Sequence, residues 1–267
     1  MGERLFFLGT TNNGRLPFGI HLQSKDVKML VSSIRPSSTV IWNEATEELF
    51  FENAKMIVHL KSGVPYSNLI NKQSDKVKLS PLQLEEFINI LVTNGEKTGL
   101  DIDIGQFIID YLSDKQIEQN DRTVVVLYHL MNALFSNDVN KIESVIRYFL
   151  GRGKGLTPSG DDHFVGLLAI HTVFNVFSPV FLQTLQKIIE LESVTTDIGK
   201  EYLMYALKGE FSSSVVNIIN NLQEENHQLE LKKQLGQLLT MGHSSGVDTA
   251  FGMLIGLLAL KREVPQS

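Results

Sequence analysis

Ser159-Gly160-Asp161-Asp162-His163-Phe164-Val165-Gly166-Leu167-Leu168 occurs in this chain a second time, 86 residues on, as Ser245-Gly246-Val247-Asp248-Thr249-Ala250-Phe251-Gly252-Met253-Leu254. The common pattern is Ser-Gly-x-Asp-x-x-x-Gly followed by two large apolar residues. A glycine-containing lead-in precedes each copy, at 151–158 and 242–244, and an apolar stretch follows. Glycine permits the backbone turns a loop needs, and a long apolar run after it reads as a buried helix. The stretch therefore predicts two like-built loop-to-helix corners, facing each other across one site.

Working outward, the period from Ser80 onward is helical. Ser80-Pro81 places an N-cap before proline at the first helical position, and Ser178-Pro179 repeats the device. Helices are predicted over 81–93, 102–112, 122–135, 138–150, 160–176, 179–192, 197–208, 212–224, 228–240 and 246–260. Ile142, Val145, Ile146, Phe149 and Leu150 form an i, i+3, i+4 stripe on the fourth. Short connections between ten helices imply a compact all-helical body over 80–267.

The first quarter reads as β. Runs at 4–8, 17–22, 27–34, 38–43, 48–51 and 55–60 are rich in Phe, Ile and Val, with Gly, Asn, Ser and Pro between them. Asn13-Gly14 is the strongest hairpin signal, because a type I′ turn needs positive φ at both positions. Six short strands predict a small barrel or bent sheet over residues 1–66. The boundary falls in a polar stretch between Lys61 and Leu79 that holds Pro65, Ser67, Asn68, Lys72, Ser74, Lys76 and Lys78. The fold class expected is α+β.

With 267 residues the chain can bury a substantial core. A net charge of −6, with no basic face carrying interleaved aromatics, argues against a nucleic-acid partner. Cysteine is absent, which removes thiol nucleophiles, thiolate metal sites and disulfides and suits a reducing compartment. The apolar run at the N-terminus is too short for a signal peptide. The longest uncharged apolar run, 250–260, is well short of the roughly 20 residues that span a bilayer. A cytoplasmic protein without a membrane partner is expected.

Chemistry concentrates at the two corners. Gly151, Gly153 and Gly155 alternate with Arg152 and Lys154 before the chain enters a helix N-terminus, whose free N–H groups favour an anion. Arg152, Gly153, Lys154, Gly155, Thr157, Ser159 and Gly160, with Ser244 and Ser245 from the second corner, form the candidate anion site. Lys154 precedes Gly155 rather than Ser or Thr, so this is not a Walker A loop. A helix rather than a strand leads into it, so it is not a dinucleotide fingerprint.

Asp161, Asp162 and Asp248 are candidate oxygen ligands for Mg²⁺, or candidate groups that position a polar substrate. His243 is the candidate for proton transfer, with Asp162 and Asp248 beside it as catalytic candidates. The sequence around His243 lacks the central-serine register of a nucleophile elbow, and there is no H-E-x-x-H. His163 and His171 read as packing or surface residues, and Thr195-Thr196-Asp197 as a helix cap.

A structural reading stands beside this one. Ser159 with Asp162, and Ser245 with Asp248, have the S-x-x-D spacing of a capping box. Gly151 suits the position just past a helix end, and Gly166 and Gly252 suit close helix packing. A capping box needs neither Asp161 beside Asp162 nor His243 beside Ser244, so both readings remain open at this point.

The string 153–162, taken with 242–248, resembles the signature of a bacterial family that includes the H subunit of oxamate carbamoyltransferase, from anaerobic allantoin degradation. The resemblance extends to Tyr202-Leu203-Met204-Tyr205-Ala206-Leu207-Lys208-Gly209-Glu210-Phe211 and runs from about Leu150 to Leu260. It implies one subunit of a three-subunit enzyme that converts oxalurate and phosphate into oxamate and carbamoyl phosphate. The glycine loop would then face phosphate, carbamoyl phosphate or a small carboxylate, with other enzyme subunits as partners. Two rivals are a non-catalytic structural or regulatory subunit, in which both motifs are helix caps, and a carboxylate sensor that binds without turnover.

Overall fold

The computed structural model describes residues 5–71, 79–113, 121–224 and 228–263. Arg4, Lys72, Ser74, Lys76 and Lys78, assigned above to a strand and to the boundary stretch, lie outside these. The chain divides into two compact units, one ending at Ser67 and one beginning at Asn68.

The first unit is built from two small sheets and a helix. β1 (Phe7–Gly9) and β2 (Gly19–His21) pair in parallel, Phe7 opposite Gly19. β3 (Val40–Asn43), β4 (Glu48–Phe51) and β5 (Met56–His59) form an antiparallel meander. Alternation on β4 turns Leu49 and Phe51 inward, where they meet Leu30 and Val58. No closed barrel forms among the described residues.

Two expectations are corrected here. Residues 27–34 are not a strand: all but the last belong to α1 (Ser24–Ser33), and Ile34 is its C-cap. Their inward residues are Val27, Leu30 and Ile34, a spacing of three and four, while Met29 and Val31 are exposed. Asn13-Gly14 is not a I′ hairpin either. Of the pair only Gly14 has positive φ, and its N–H bonds Thr11 O at 3.0 Å, as at the last position of an ordinary four-residue turn. The His21 ring pins this connection by accepting from Leu16 N–H at 3.1 Å and reaching Thr10 O at 3.2 Å. The strands it joins therefore run in the same direction.

The second unit is helical: α2 (Pro81–Asn94), α3 (Ile104–Leu112), α4 (Arg122–Ala133), α5 (Val139–Phe149), α6 (Ser159–Phe174), α7 (Pro179–Leu191), α8 (Asp197–Ala206), α9 (Ser213–Gln223), α10 (Gln228–Leu239) and α11 (Ser245–Glu263). Local chemistry starts many of them. Asp103, Asp121 and Asp138 cap α3, α4 and α5 by accepting from backbone N–H groups two or three residues on. Ser178 caps α7, whereas Ser80 makes no side-chain cap bond.

α6 and α11 are the centre of this unit. Both are buried around nearly their whole circumference, as their uninterrupted apolar runs require. They pack on each other, with α8 and α9 against α6 and with α2, α4 and α10 against α11. Gly166 and Gly252 permit the approach. A Cβ on Gly166 would lie 2.1 Å from Thr249 O, and one on Gly252 would lie 2.2 Å from His163 O. The contact is reciprocal: the late glycine of each motif meets the fifth residue of the other. No helix among the described residues is long and apolar enough to cross a membrane.

Candidate functional site

The two motifs build matching corners. α6 starts against the end of α5, where a Cβ on Gly160 would lie 1.9 Å from Phe149 O. α11 starts against the end of α10, where a Cβ on Gly246 would lie 1.8 Å from Leu238 O. Neither residue tolerates a side chain without moving backbone. The capping-box reading is corrected by register: Pro158, not Ser159, is the N-cap of α6 and makes no side-chain cap bond. Asp162 N–H and Asp248 N–H bond the carbonyls of Pro158 and Ser244 at 3.1 and 2.8 Å. Each serine is thereby one position inside its helix, leaving its hydroxyl for other contacts.

Those hydroxyls converge. Thr157 Oγ1 and Ser245 Oγ are 2.9 Å apart and tie the corners together. Gly99, in the turn between α2 and α3, lies over the same place, and its N–H donates to Asp248 Oδ1 at 2.8 Å. A Cβ on Gly99 would lie 2.1 Å from Ser159 Oγ, 2.6 Å from Ser244 Oγ and 3.0 Å from Asp248 Oδ2. A Cβ on Gly153, at φ 114°, would lie 2.7 Å from Ser159 Oγ from the loop side. His163 Nε2 lies 3.3 Å from Asp248 Oδ1, without the alignment of a full hydrogen bond, and its ring packs against Phe149 and Phe251.

Asp162, His163 and Asp248 are at most 2% exposed. Asp162 Oδ2, Asp248 Oδ2 and both ring nitrogens of His163 nevertheless have no hydrogen-bond partner. Nearly all buried polar atoms in folded proteins are paired, so four unpaired ones in one place set this cluster apart from the rest of the core.

The carboxyl groups of the two aspartates are shifted in opposite directions. Burial pushes Asp162 well above the usual carboxylate value, and the charges of Asp248 and Asp161 add to this against the Ser245 and Thr157 hydroxyls. Burial also penalises the Asp248 charge. There, however, His163, the Gly99 N–H and the Ser244 hydroxyl together hold the group below the usual value. Tyr202, near Asp162, is pushed up to about 12, chiefly by burial.

The structure thus brings Thr157, Ser159, Ser244, Ser245, Gly153, Gly160, Asp162 and Asp248 to the two corners. Other sequence candidates lie elsewhere. Asp161 is buried but faces away, accepting from Gly151 N–H at 2.8 Å and from the Thr195 hydroxyl; burial raises its pKa. One of its oxygens thus holds the start of the loop and the other the connection between α7 and α8, and no group of three or more His, Asp or Glu among the described residues could hold a metal. Arg152 folds back over the Tyr148 ring at 4.0 Å and donates to Tyr148 O. Lys154, Gly155 and His243 are exposed on the outer turns.

Thr196 caps α8 and donates to Leu156 O, so the glycine loop is anchored on a neighbouring helix. Two residues were missed. His163 sits inside the motif itself, where its position beside Asp162 was the available signal. Gly99 carries no sequence signal at all. Surface cavities of about 610 and 560 Å³ lie apart from the corners, one between α4 and α5 and one where α6 meets α7.

Fold and site define a class: an α+β chain whose helical body buries two reciprocal Ser-Gly-x-Asp helix starts around unpaired carboxyl groups. Residues 149–257, from the end of α5 through most of α11, match the family described as oxamate carbamoyltransferase subunit AllH. The resemblance read from the motifs is thereby shown over this segment. No solved structure matches the chain.

Proposed function

We propose that this chain is a subunit of a carbamoyl- or phosphate-handling transferase, and that the paired corners of α6 and α11 form its ligand site. The observation that carries the reading is the cluster of unpaired buried atoms on Asp162, His163 and Asp248, inside the segment that matches the carbamoyltransferase subunit family. The N–H groups of Gly153, Lys154 and Gly155 supply donors for an anion at the mouth. The hydroxyls of Thr157, Ser159, Ser244 and Ser245 orient the ligand above the aspartates. Preorganised donors of this kind usually supply the largest electrostatic share of catalysis. Lys154 and His243, both exposed, are placed to meet a ligand or a partner subunit at the rim.

A second reading has its own support, because each motif glycine has a steric reason for being glycine and Asp161 braces the loop. In it, both corners are packing devices of a non-catalytic subunit. The melting temperature of the full chain with phosphate, carbamoyl phosphate, oxamate and oxalurate, each with and without Mg²⁺, separates the two. A ligand at a hundred times its Kd adds about 2.7 kcal/mol, a shift of roughly 5–10 °C for a chain of this size. Gly99→Ala puts a methyl group among Ser159, Ser244 and Asp248 and should abolish the shift. No shift with any ligand would overturn the transferase reading and favour the packing one.

A further inference from the structure

In the N-terminal unit, away from the α6 and α11 corners, β3 lies at one edge of its sheet and β5 at the other. The register settles which backbone groups of β3 are free. Glu52 N–H bonds Thr39 O, so Thr39 and Glu52 are a hydrogen-bonded pair, and bonded and non-bonded pairs alternate from there. Ile41 and Asn43 therefore turn their backbone groups to β4. Those of Val40 and Trp42 point out of the sheet, with no partner among the described residues. The side chains here are apolar on both faces. Val40 and Trp42 stand opposite Phe51 and Leu49 on the inner side, yet are 37% and 48% exposed because no further strand covers them. On the outer side Ile41, Phe50 and Ile57 form one row across three strands, with Ile41 44% exposed and Ile57 48%. Natural sheets guard open edges with charged side chains or proline, and residues 40–43 contain neither.

We propose that β3 pairs with β3 of a second copy of this chain, antiparallel about a twofold axis at Ile41, so that two three-stranded sheets join into one. Of the twofold registers, this one alone pairs Val40 of each copy with Trp42 of the other, exchanging both backbone bonds in each pair. It also keeps the faces. Val40 and Trp42 close the inner side together, and the two Ile41 side chains meet on the outer side, in the close position of a non-hydrogen-bonded pair. Charge selects a second copy as the occupant. Arg35 precedes β3, and Glu44 and Glu47 follow it; all three are exposed and have no ion-pair partner among the described residues, whereas Glu48 is paired with His59. Antiparallel pairing sets the start of one β3 beside the end of the other. Each end of the joint then carries Arg35 from one copy and Glu44 and Glu47 from the other. The opposite edge is guarded against the same pairing. Leu60 N–H bonds Glu47 O, so on β5 Ile57 and His59 point their backbone groups outward. Pairing these about a twofold would centre on Val58 and set Lys55 against Lys61 of the other copy. The β3 contact is small, which places the dimer among weak interfaces that assemble as concentration rises.

Trp42 is the sole tryptophan of the chain and reports on the joint directly. Over a roughly hundredfold range of concentration, up to about 0.2 mM, sedimentation velocity of the full chain should pass from monomer towards dimer. The emission of Trp42 should move to shorter wavelength over the same range. Ile41→Lys sets two lysines face to face on the axis and should hold the chain monomeric throughout, with Trp42 emission no longer dependent on concentration. Ile41 is exposed, so circular dichroism of this variant should match the parent. Arg35→Glu should weaken the dimer, and adding Glu44→Arg and Glu47→Arg to it should restore dimerisation. A parent chain that stays monomeric over the whole range, with another protein's strand on this edge or none, would overturn the pairing. A dimer that survives Ile41→Lys, or one that forms without a change in Trp42 emission, is built on another surface and would overturn it as well.

Discussion

Replacing Asp162 and Asp248 by asparagine, one at a time, should change stability with opposite dependence on pH, although the two residues hold equivalent places in the repeated motif. The folded pKa of Asp248 is depressed. Such a group contributes stability that is fully present above the unfolded value of about 3.9 and is lost as pH falls through the folded value. Asp248→Asn keeps an acceptor for the Gly99 N–H but removes the charge facing His163. A hydrogen bond to a charged group is worth about 1.5–3 kcal/mol. At neutral pH this corresponds to a fall in Tm of roughly 3–12 °C, a deficit that closes as pH falls through the folded value.

Asp162 has the opposite sign. Its folded pKa is raised, so the native state binds more protons than the unfolded one over the interval between the two values. Stability drains away through that interval as pH rises, by about 1.4 kcal/mol per pH unit for one full proton of difference, and then levels off. Asp162→Asn removes the drain. The variant should match the parent near pH 4 and gain on it as pH rises. Urea unfolding midpoints measured from pH 3 to pH 8 give both curves. Parallel pH profiles for the two variants, or differences from the parent that do not vary with pH, would refute the opposite shifts of the two carboxyl groups.

Gly166→Ala forces a methyl group against the backbone of Thr249 and Met253 and should cost about 3 kcal/mol, the upper end for overpacking. An unchanged urea midpoint would contradict the close approach of α6 and α11. Thr196→Ala removes the α8 cap and the anchor on Leu156 O, costing about 1 kcal/mol. Faster amide exchange at residues 153–157 should accompany it, since the loop loses its tie to α8. Arg147 pairs with Glu143 and Glu192 on the surface. Arg147→Ala should therefore cost less than about 1 kcal/mol and cost less still in high salt, both readable from urea midpoints.

The helical body was legible because its signals are local. Asp103, Asp121 and Asp138 announce helix starts within three residues of themselves, and Ile142, Val145, Ile146 and Phe149 show their shared face by spacing alone. The N-terminal unit was less so. Short apolar runs carry too few residues to separate a period of two from one of 3.6, and residues 27–34 were misread for that reason. Asn13-Gly14 signals a turn, but the direction of the strands around it depends on longer contacts such as the grip of His21 on Thr10 and Leu16.

The same division runs through the site. By itself the sequence determined that two corners exist, that each carries an aspartate and a serine at its helix start, and that a glycine loop precedes the first. These are properties of segments of about ten residues. Only the tertiary structure decided which of them meet: Asp162 and Asp248 converge, Asp161 turns away to Gly151 and Thr195, and His243 stays on the rim. It also recruited Gly99, 149 residues from its partner Asp248. The reason is physical. Gly166 and Gly252 let α6 and α11 pack backbone to backbone, and that packing sets which side of each helix faces the other. No pattern within either helix alone specifies that choice.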